Sequence, residues 1–397
     1  MNLTKRVKTA LPSMNKKAKR HLLILVVLSV ILKALMVVLV AHVPPEDVNR
    51  LLGIEAKWFR YNWDVLNISR DNRPLIEKFG YTFDTRWYIR ISENGYKLDD
   101  DDAIYISQRT PPGIPVSANL YDWLFMYPLF IRLLSIFIGP IPAGLLIANA
   151  ASVISVALFY LLATNYVGND SAFRGAVLLI FYPYNIMTMA SFSEPLYMLF
   201  ALISWFFFMK WRIIPAGFMM MLASFTRYPG AMLFPIFSAI LINRLRGGKA
   251  SDILAKLILL NIFFIPLLFW MYVEIPMQTG YTQTQFASLT WGFHPFPGIG
   301  LVGASFFGMF FLYFALVGAY QLKNINKDLM FYSFGFIIVH LTLGFGGGIG
   351  RYLGVVWPLF IYYGHKLDMP DTAFFSALFL FIGSIMVEFH VNSIFWI

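Results

Sequence analysis

The sequence contains no cysteine and few charged residues. Of its 397 residues, 13% are charged and 58% are hydrophobic, and the mean hydropathy is +0.65. Without cysteine the chain cannot form disulfides, and cysteine-ligated zinc and iron–sulfur sites are excluded. About a quarter of the residues of an ordinary soluble domain are charged. The low charge and the high hydrophobicity therefore predict a protein that crosses a membrane many times.

The net charge of +10 is distributed in short basic blocks beside apolar segments. A nucleic-acid-binding protein would gather its basic residues in one stripe or patch, so we expect no nucleic-acid partner. The first block precedes an apolar run over 22–43, which is long enough to cross a bilayer and lacks the cleavage site of a signal peptide. By the positive-inside tendency, we expect a retained anchor with a cytoplasmic N-terminus.

The apolar segments predict an all-α bundle of about 11 transmembrane helices. One long polar interval follows the first span, and a second polar stretch interrupts the later spans. The predicted parts, in chain order, are a basic cytoplasmic tail (1–21), the first transmembrane helix (22–43), an extracytoplasmic catalytic loop with interfacial helices (44–141), transmembrane helices 2–7 (142–275), an extracytoplasmic loop (276–298) and transmembrane helices 8–11 (299–397).

Two topologies compete, and they differ at residues 123–138 and 213–243. In the first, both segments cross the bilayer as single helices, and Arg227 lies in mid-bilayer at a cost of about 2.5 to 3.5 kcal/mol. In the second, 123–138 lies on the outer surface and the motif TRYPG (226–230) splits 213–243 into two short helices. Most basic blocks beyond the first loop are then cytoplasmic, and the positive-inside tendency therefore favours the second topology. In this topology the C-terminus lies outside.

Four ionisable residues are difficult to explain as anchors or solubilising charges, and the favoured topology places them on one side. They are Asp84, Glu194, Arg227 and Arg351. Ionisable groups at membrane depth are costly and often functional, so we expect one shared outward-facing cavity. Outward-facing arginines run against the positive-inside pattern and need a carboxylate partner or an anionic ligand. Phosphate is a natural ligand, because a planar guanidinium binds it bidentately.

Asp84 lies at the start of an amphipathic, interfacial helix. At 100° per residue, Asp84 shares an aromatic face with Trp87 and Tyr88. Glu93 favours the polar face and is expected to support the helix. Partial desolvation would make the Asp84 carboxylate a stronger general base. The alternative is that Asp84 caps a helix beginning at Thr85, and the two roles are compatible.

Other polar features have ordinary explanations. Glu194 lies at a Ser-Glu-Pro helix start, where a carboxylate complements the helix dipole. His294 could contact a sugar or could be a solvated loop residue. The glycine-rich run 344–350 lacks the lysine of a P-loop, and we reject nucleotide binding there. No HExxH motif or clustered His/carboxylate spacing predicts a metal site.

Five motifs follow one another along the chain, namely FDTRWYIRISENGY (83–96), FMYPLF (125–130), SFSEPLYMLFAL (191–202), FTRYPG (225–230) and GRYLGVVWPLF (350–360). In these motifs and their order the sequence resembles the GPI mannosyltransferase II (PIG-V-type) family and its prokaryotic relatives. Together they extend over about residues 80 to 365, and their order is more specific than any single motif.

The resemblance implies a GT-C membrane glycosyltransferase fold. It also implies inverting transfer of a sugar, usually mannose, from a polyprenyl- or dolichyl-phosphate donor to a lipid-linked or glycan acceptor on the extracytoplasmic face. Asp84 would be the catalytic base, and Arg227 and Arg351 would bind the donor phosphate. Substrate-binding or supporting roles are expected for a further set of residues: Glu194, Glu93, Trp87, Tyr88, Tyr228 and His294.

We expect no obligatory metal or other cofactor, because a lipid phosphate can leave with electrostatic stabilisation alone. The expected location is a prokaryotic cell membrane, otherwise the endoplasmic reticulum membrane. Two other classes compete with a transferase. A transporter or flippase of a lipid-linked sugar also contains intramembrane charges and broken helices, although the sequence shows no inverted repeat. A structural subunit would leave the ordered polar residues without a role.

Overall fold

The computed structural model describes residues 15–42, 74–82, 84–97, 123–187, 189–274, 306–342 and 349–391. Within these ranges the chain is helical and contains no strand, which confirms the predicted all-α class. The tail before residue 15, most of the predicted loop 44–141, and the loop 276–298 with His294 lie outside the described residues.

The first part of the chain contains both long and short helices. In order they are α1 (Lys16–His42), α2 (Leu75–Gly80), α3 (Asp84–Asn94), α4 (Met126–Ile138), α5 (Pro140–Phe181), α6 (Pro183–Met187), α7 (Glu194–Met209), α8 (Ile213–Thr226) and α9 (Leu233–Arg244).

The remaining helices are α10 (Ala250–Asn261), α11 (Ile265–Glu274), α12 (Phe306–Gln321), α13 (Lys327–Thr342), α14 (Ile349–Leu353), α15 (Pro358–Lys366) and α16 (Met369–Val391). Short 3-10 helices join several of them, at Tyr228–Met232, Ile262–Phe264 and Leu322–Asn324.

Among the described residues, four helical segments are long and apolar enough to cross a membrane. They are Lys16–His42, Pro140–Phe181, Ala250–Tyr272 and Met369–Val387. Shorter apolar helices occur at Met126–Ile138, Glu194–Met209 and Ile213–Thr226. A hydrocarbon core of about 30 Å requires about 20 residues in a helix. These segments identify a helical membrane protein.

Helix α5 is broken at Gly168. Its 42 residues would extend about 63 Å as a straight helix, about twice the hydrocarbon thickness. Gly168 has a φ of 76°, a left-handed conformation that glycine adopts without strain. Ser155 before the break and Leu179 after it line the same small cavity, so the two arms of α5 run side by side.

The second arm of α5 ends at Phe181, although the apolar run in the sequence continues to about residue 191. The helix stops at Phe181, and Tyr182 is extended with φ −54° and ψ 127°. A residue before proline is disfavoured in the helical conformation, and Pro183 follows Tyr182. The chain resumes as the short helix α6, so the apolar run after Phe181 does not continue one helix.

The segment 213–243 is split, as the second topology predicts. Helix α8 ends at Thr226, Arg227 is extended with φ −153° and ψ 142°, and the 3-10 helix leads into α9. Gly230 permits this tight turn, because a Cβ there would lie 2.5 to 2.6 Å from backbone atoms of Ala223 and Ser224. Arg227 therefore lies at a helix end.

One end of the bundle carries basic residues, and we call it the basic end. Lys17 Nζ, at the start of α1, lies 2.7 Å from Asp170 Oδ2, beside the break in α5. Arg174 Nε donates a hydrogen bond of 3.0 Å to the carbonyl oxygen of Gly364, near the end of α15. These contacts show that the start of α1, the break in α5 and the end of α15 lie side by side at the same end of the bundle.

Helices α7 and α9 also end at the basic end. Trp205 Nε1 in α7 donates to Tyr166 Oη, close to the break in α5, over 3.1 Å. Arg244 Nη2 at the end of α9 lies 2.6 Å from Asp328 Oδ2 in α13, and it contacts Met209 Sδ at the end of α7. The start of α7 and the turn between α8 and α9 therefore lie toward the opposite end of the bundle.

Aromatic side chains fill the space between these helices. The ring of Trp205, which is fully buried, lies 5.5 Å from the rings of Phe237 and Trp357. It lies 5.6 Å from the ring of Tyr332. Such aromatic pairs contribute about 0.5 to 1.5 kcal/mol each beyond the area that they bury. This packing fixes the relative positions of α7, α9, α13 and α15.

Candidate functional site

Four charged side chains from distant parts of the chain form one ion-paired group, which we call the charged cluster. Arg351 Nη1 lies 3.0 Å from Asp84 Oδ2, and Arg351 Nε donates to Glu194 Oε1. Arg227 Nη1 lies 2.9 Å from the same oxygen of Glu194. The structure thus brings together the four residues that the sequence singled out, at the end of the bundle opposite the basic end.

Helix ends position all four groups. Asp84 and Glu194 are the first residues of α3 and α7. Arg227 lies in the break after α8, and Arg351 lies within the five-residue helix α14. A carboxylate in the first turn of a helix interacts favourably with the helix dipole. Pro195 follows Glu194, where its missing N–H leaves no helical hydrogen bond unmade.

Glu194 lies at the centre of the cluster. Its side chain is only 3% exposed. Its Oε1 accepts a hydrogen bond from Arg351 Nε and forms an ion pair with Arg227 Nη1 over 2.9 Å. Among the described residues, Oε2 of Glu194 has no hydrogen-bond partner. Glu194 therefore contacts both arginines of the cluster.

The two arginines are paired with carboxylates instead of being free for an anion. Arg227 also donates to Ser193 Oγ over 3.2 Å, and its guanidinium lies 5.6 Å from the ring of Tyr352. The guanidinium of Arg351 lies 4.5 Å from the ring of Phe192. Arg351 Nη2 is buried and forms no hydrogen bond within the described ranges. This N–H group therefore has hydrogen-bonding capacity that no described protein group uses.

Asp84 is the most accessible member of the cluster. Its side chain is 37% exposed, against 21% for Arg351 and 12% for Arg227. The helix begins at Asp84 and not at Thr85, which corrects the interpretation of Asp84 as the residue before the helix. Thr85 Oγ1 itself accepts a hydrogen bond of 2.6 Å from the backbone N–H of Thr82. A ligand approaching the cluster would therefore meet Asp84 first.

Tyr88 connects helix α3 to the residues around Glu194. Its hydroxyl lies 2.7 Å from Ser193 Oγ, which also accepts from Arg227. The ring of Tyr88 packs edge-on against Tyr127 at 5.0 Å, and Tyr127 Oη donates to the carbonyl oxygen of Gly144. Tyr88 therefore links α3 to Ser193, the residue that precedes Glu194.

The other candidates among the described residues are Trp87, Glu93 and Tyr228. Trp87 is buried and its ring lies 5.5 Å from that of Trp123, so it packs α3 against the following segment. Glu93 is exposed on the polar face of α3, and no ion pair of the described residues includes it. Tyr228 is half-buried at the first position of the 3-10 helix after Arg227. The amphipathic character predicted for α3 is confirmed.

Lys33 is a charged residue that the sequence interpretation missed. It lies well inside α1, and its Nζ donates a hydrogen bond of 2.8 Å to Asn149 Oδ1 in α5. Lys33 and Glu194 line the same small cavity. The sequence did contain a signal for Lys33, because it is a single lysine within a long apolar run. Placing an ionisable residue in such a run has a high free-energy cost.

Guanidinium groups donate hydrogen bonds to anions, and carboxylates accept hydrogen bonds from hydroxyl groups. Its two carboxylates and two guanidinium groups balance in charge. Within the part of the chain that the structure describes, no group of three or more His, Cys, Asp or Glu residues is arranged to hold a metal ion. Asp84 and Glu194 are the carboxylates of the cluster, and both are engaged by arginine.

The chain matches no protein-family model, no curated protein and no solved structure. The resemblance to PIG-V-type enzymes therefore stays a prediction from the motifs. The geometry of the charged cluster is the basis on which a function can be argued.

Proposed function

We propose that the chain is an inverting glycosyltransferase. It transfers a sugar, most simply mannose, from a polyprenyl- or dolichyl-phosphate donor to a lipid-linked or glycan acceptor on the extracytoplasmic face of a membrane. The observation that carries the proposal is the charged cluster, in which an accessible carboxylate and two guanidinium groups meet. These are the groups that such a reaction requires, a base for the acceptor and cations for the leaving phosphate.

In the proposed reaction the donor phosphate competes with Asp84 for Arg351. Phosphate would bind the Nη1 and Nη2 edge of Arg351 bidentately, as guanidinium groups commonly bind phosphate. This exchange breaks the ion pair of 3.0 Å between Arg351 and Asp84 and releases the carboxylate. Glu194 keeps the Nε side of Arg351 and the guanidinium of Arg227 in place meanwhile.

The released Asp84 then acts as general base. It accepts the proton of the acceptor hydroxyl while that oxygen attacks the anomeric carbon of the sugar. The bond between the anomeric carbon and the phosphate oxygen breaks, and the electron pair leaves with the lipid phosphate. Arg351 and Arg227 stabilise the negative charge that develops on the phosphate. Attack from the face opposite the leaving group inverts the configuration at the anomeric carbon.

The proposal includes a GT-C-type bundle of about eleven transmembrane helices, with a cytoplasmic N-terminus. It is supported by the break in α5 and the split of 213–243, because both create the reversals that this arrangement requires. Cytoplasmic regions carry an excess of Lys and Arg, and Lys17, Arg174 and Arg244 lie at the end opposite the charged cluster. Helix α4 is assigned to the interface, because this topology places most basic blocks on the cytoplasmic side.

A transfer assay on the purified full-length protein tests the proposed function. The protein is incubated with a membrane lipid extract and radiolabelled polyprenyl-phosphate mannose, and in parallel with radiolabelled nucleotide-linked mannose. We expect label to pass to a lipid or glycan product from the lipid-phosphate donor alone. Transfer from the nucleotide sugar, or no transfer from either donor, would contradict the proposal.

The second candidate function is transport of a lipid-linked sugar across the membrane. Lys33 favours it, because transporters carry charged residues near the bilayer midplane and Lys33 lies well inside α1. Reconstitution in vesicles distinguishes the two functions. A transporter moves the lipid-linked sugar between leaflets without chemical change, whereas a transferase alters the sugar linkage.

A further inference from the structure

Helix α14 is too short to fix its own position. It contains five residues, Ile349–Leu353, whereas isolated helices shorter than about 12 to 15 residues are marginal in water even in favourable sequences. Arg351 lies in the middle of this helix and pairs with Asp84 and Glu194. The direction in which Arg351 presents its guanidinium group therefore depends on contacts that hold α14 from outside.

The residues that follow α5 contact α14 at two glycines. Tyr182 Oη donates a hydrogen bond of 2.6 Å to the carbonyl oxygen of Gly350. A Cβ at Gly350 would collide with the ring of Tyr184. A Cβ at Gly354 would lie 3.0 Å from the ring of Tyr182 and 3.0 Å from Oδ1 of Asn185. We call Tyr182, Tyr184 and Asn185 the α14 clasp, because they contact the helix just inside its start and just past its end.

The ring of Tyr182 is held by aromatic side chains from three helices. Tyr182 is buried, with an exposed fraction of 5%. Its ring centre lies 5.3 Å from that of Phe311 in α12, 5.5 Å from that of Phe360 in α15 and 5.8 Å from that of Phe379 in α16. Because the hydroxyl lies on the long axis of the ring, this packing fixes the hydroxyl as well. The hydrogen bond to α14 therefore has a rigid donor.

We infer that Tyr182 is a positioning residue for Arg351. Its hydroxyl ties α14 to the end of α5, and through α14 it sets the angle at which the Arg351 guanidinium meets Asp84 and Glu194. Without this hydroxyl, Arg351 stays in the site but is no longer aligned with the phosphate that it binds. This effect on transfer rests on the proposed function, whereas the contact between the clasp and α14 does not.

The contact is tested without any substrate, by hydrogen exchange in the full-length protein in nanodiscs. Tyr182→Phe removes the hydroxyl and keeps the ring. We expect the amides of α14 to exchange about fivefold faster, the factor that corresponds to one hydrogen bond of about 1 kcal/mol.

The matched control for the exchange experiment is Tyr363→Phe. Tyr363 Oη in α15 also donates a hydrogen bond of 2.6 Å to a backbone carbonyl oxygen, that of Phe314 in α12. Tyr363→Phe should leave the exchange of α14 unchanged. Wild-type exchange of α14 in Tyr182→Phe, or an equal acceleration in Tyr363→Phe, would overturn the clasp.

The positioning role is tested by the kinetics of sugar transfer from polyprenyl-phosphate mannose. Tyr182→Phe is made in the wild-type background and in the Arg351→Lys background. Lysine keeps the charge but lacks the planar guanidinium group, so no planar group is left to align. We expect Tyr182→Phe to lower kcat/KM about fivefold in the wild-type background and not at all in Arg351→Lys, because the two residues then act through one contact. Tyr363→Phe should have no effect in either background.

The outcomes separate this inference from the proposed function. An equal loss from Tyr182→Phe in both backgrounds, or no loss in either, would overturn the positioning role and leave the proposed function standing. If the wild type transfers no sugar from this donor, the proposed function fails and the positioning role in transfer fails with it. The exchange of α14 decides on the clasp in either case.

Discussion

Glu194 Oε1 accepts a hydrogen bond from Arg351 and forms an ion pair with Arg227, so a single oxygen atom joins the α8–α9 turn to helix α14. The Glu194 side chain is almost fully buried, at 3% exposure. Removing one member of a buried ion pair leaves the other charge unpaired, which typically costs about 3 to 5 kcal/mol. At the scale of single residues, Glu194 therefore contributes more to stability than the half-exposed Asp84.

We expect Glu194→Gln to lower the thermal unfolding midpoint of the nanodisc-embedded protein strongly, in line with a loss of about 3 to 5 kcal/mol. The matched control is Glu93→Gln, because Glu93 is exposed and surface changes of this kind usually stay within about 0.5 kcal/mol. If both variants unfold at the wild-type midpoint, the buried pairing of Glu194 with the arginines does not exist in the protein.

The sequence predicted which four charged residues form the cluster, but it did not predict which of them pair with each other. Arg227 and Arg351 stood out in the sequence because outward-facing arginines oppose the positive-inside pattern. The sequence left two kinds of partner possible for each arginine, a carboxylate of the protein or an anionic ligand. Which partner each finds depends on how distant segments pack, as in the contact between Asp84 and Arg351. Lys33 was not predicted as a site residue, because one lysine hardly changes the mean hydropathy of a long apolar run. Asn149, which holds it, lies in another helix.

At the scale of elements, the turn between α8 and α9 decides where Arg227 lies. Gly230 packs against the backbone of Ala223 and Ser224 so closely that no side chain fits between them. We expect Gly230→Ala to force the turn open and to destabilise the protein by about 1 to 3 kcal/mol, the usual cost of overpacking. The change should also reduce sugar transfer, because Arg227 moves away from Glu194.

Thermal unfolding and transfer rates of Gly230→Ala provide the measurement. Ala231→Gly, at the next position of the same 3-10 helix, is the control for a change of backbone flexibility without a clash. Wild-type stability and activity in Gly230→Ala would show that the turn is not as tightly closed as described.

Local sequence signals predicted most of the elements. The Pro-Gly pair in TRYPG predicted the break after α8, and the prediction is confirmed. The end of α5 at Phe181 was missed, because the apolar run continues beyond it and hydropathy alone does not register the effect of Pro183 on Tyr182. Apart from α2, α3, α4 and the start of α5, the predicted loop 44–141 lies outside the described residues, as does the loop 276–298, so the predictions for those parts stand untested.

At the scale of the whole molecule, the charged cluster and the basic end lie at opposite ends of the bundle. The absence of cysteine makes this arrangement easy to test, because a single introduced thiol is the only one in the chain. We expect a membrane-impermeant maleimide to label Glu93→Cys in intact cells and Lys249→Cys only after permeabilisation. Both residues are exposed, at the cluster end and beside the end of α9 respectively. Labelling of both in intact cells would contradict the proposed topology.

The central claim is that the charged cluster is where a sugar is transferred and that Asp84 is its base. The most direct measurement compares the initial rate of mannose transfer from polyprenyl-phosphate mannose by wild type, Asp84→Asn and Asp170→Asn. Asp170 pairs with Lys17 at the basic end and serves as the matched control. We predict a loss of about 10² to 10⁴-fold for Asp84→Asn, the usual contribution of a general base, and a wild-type rate for Asp170→Asn. Equal transfer by wild type and a folded Asp84→Asn would contradict the account.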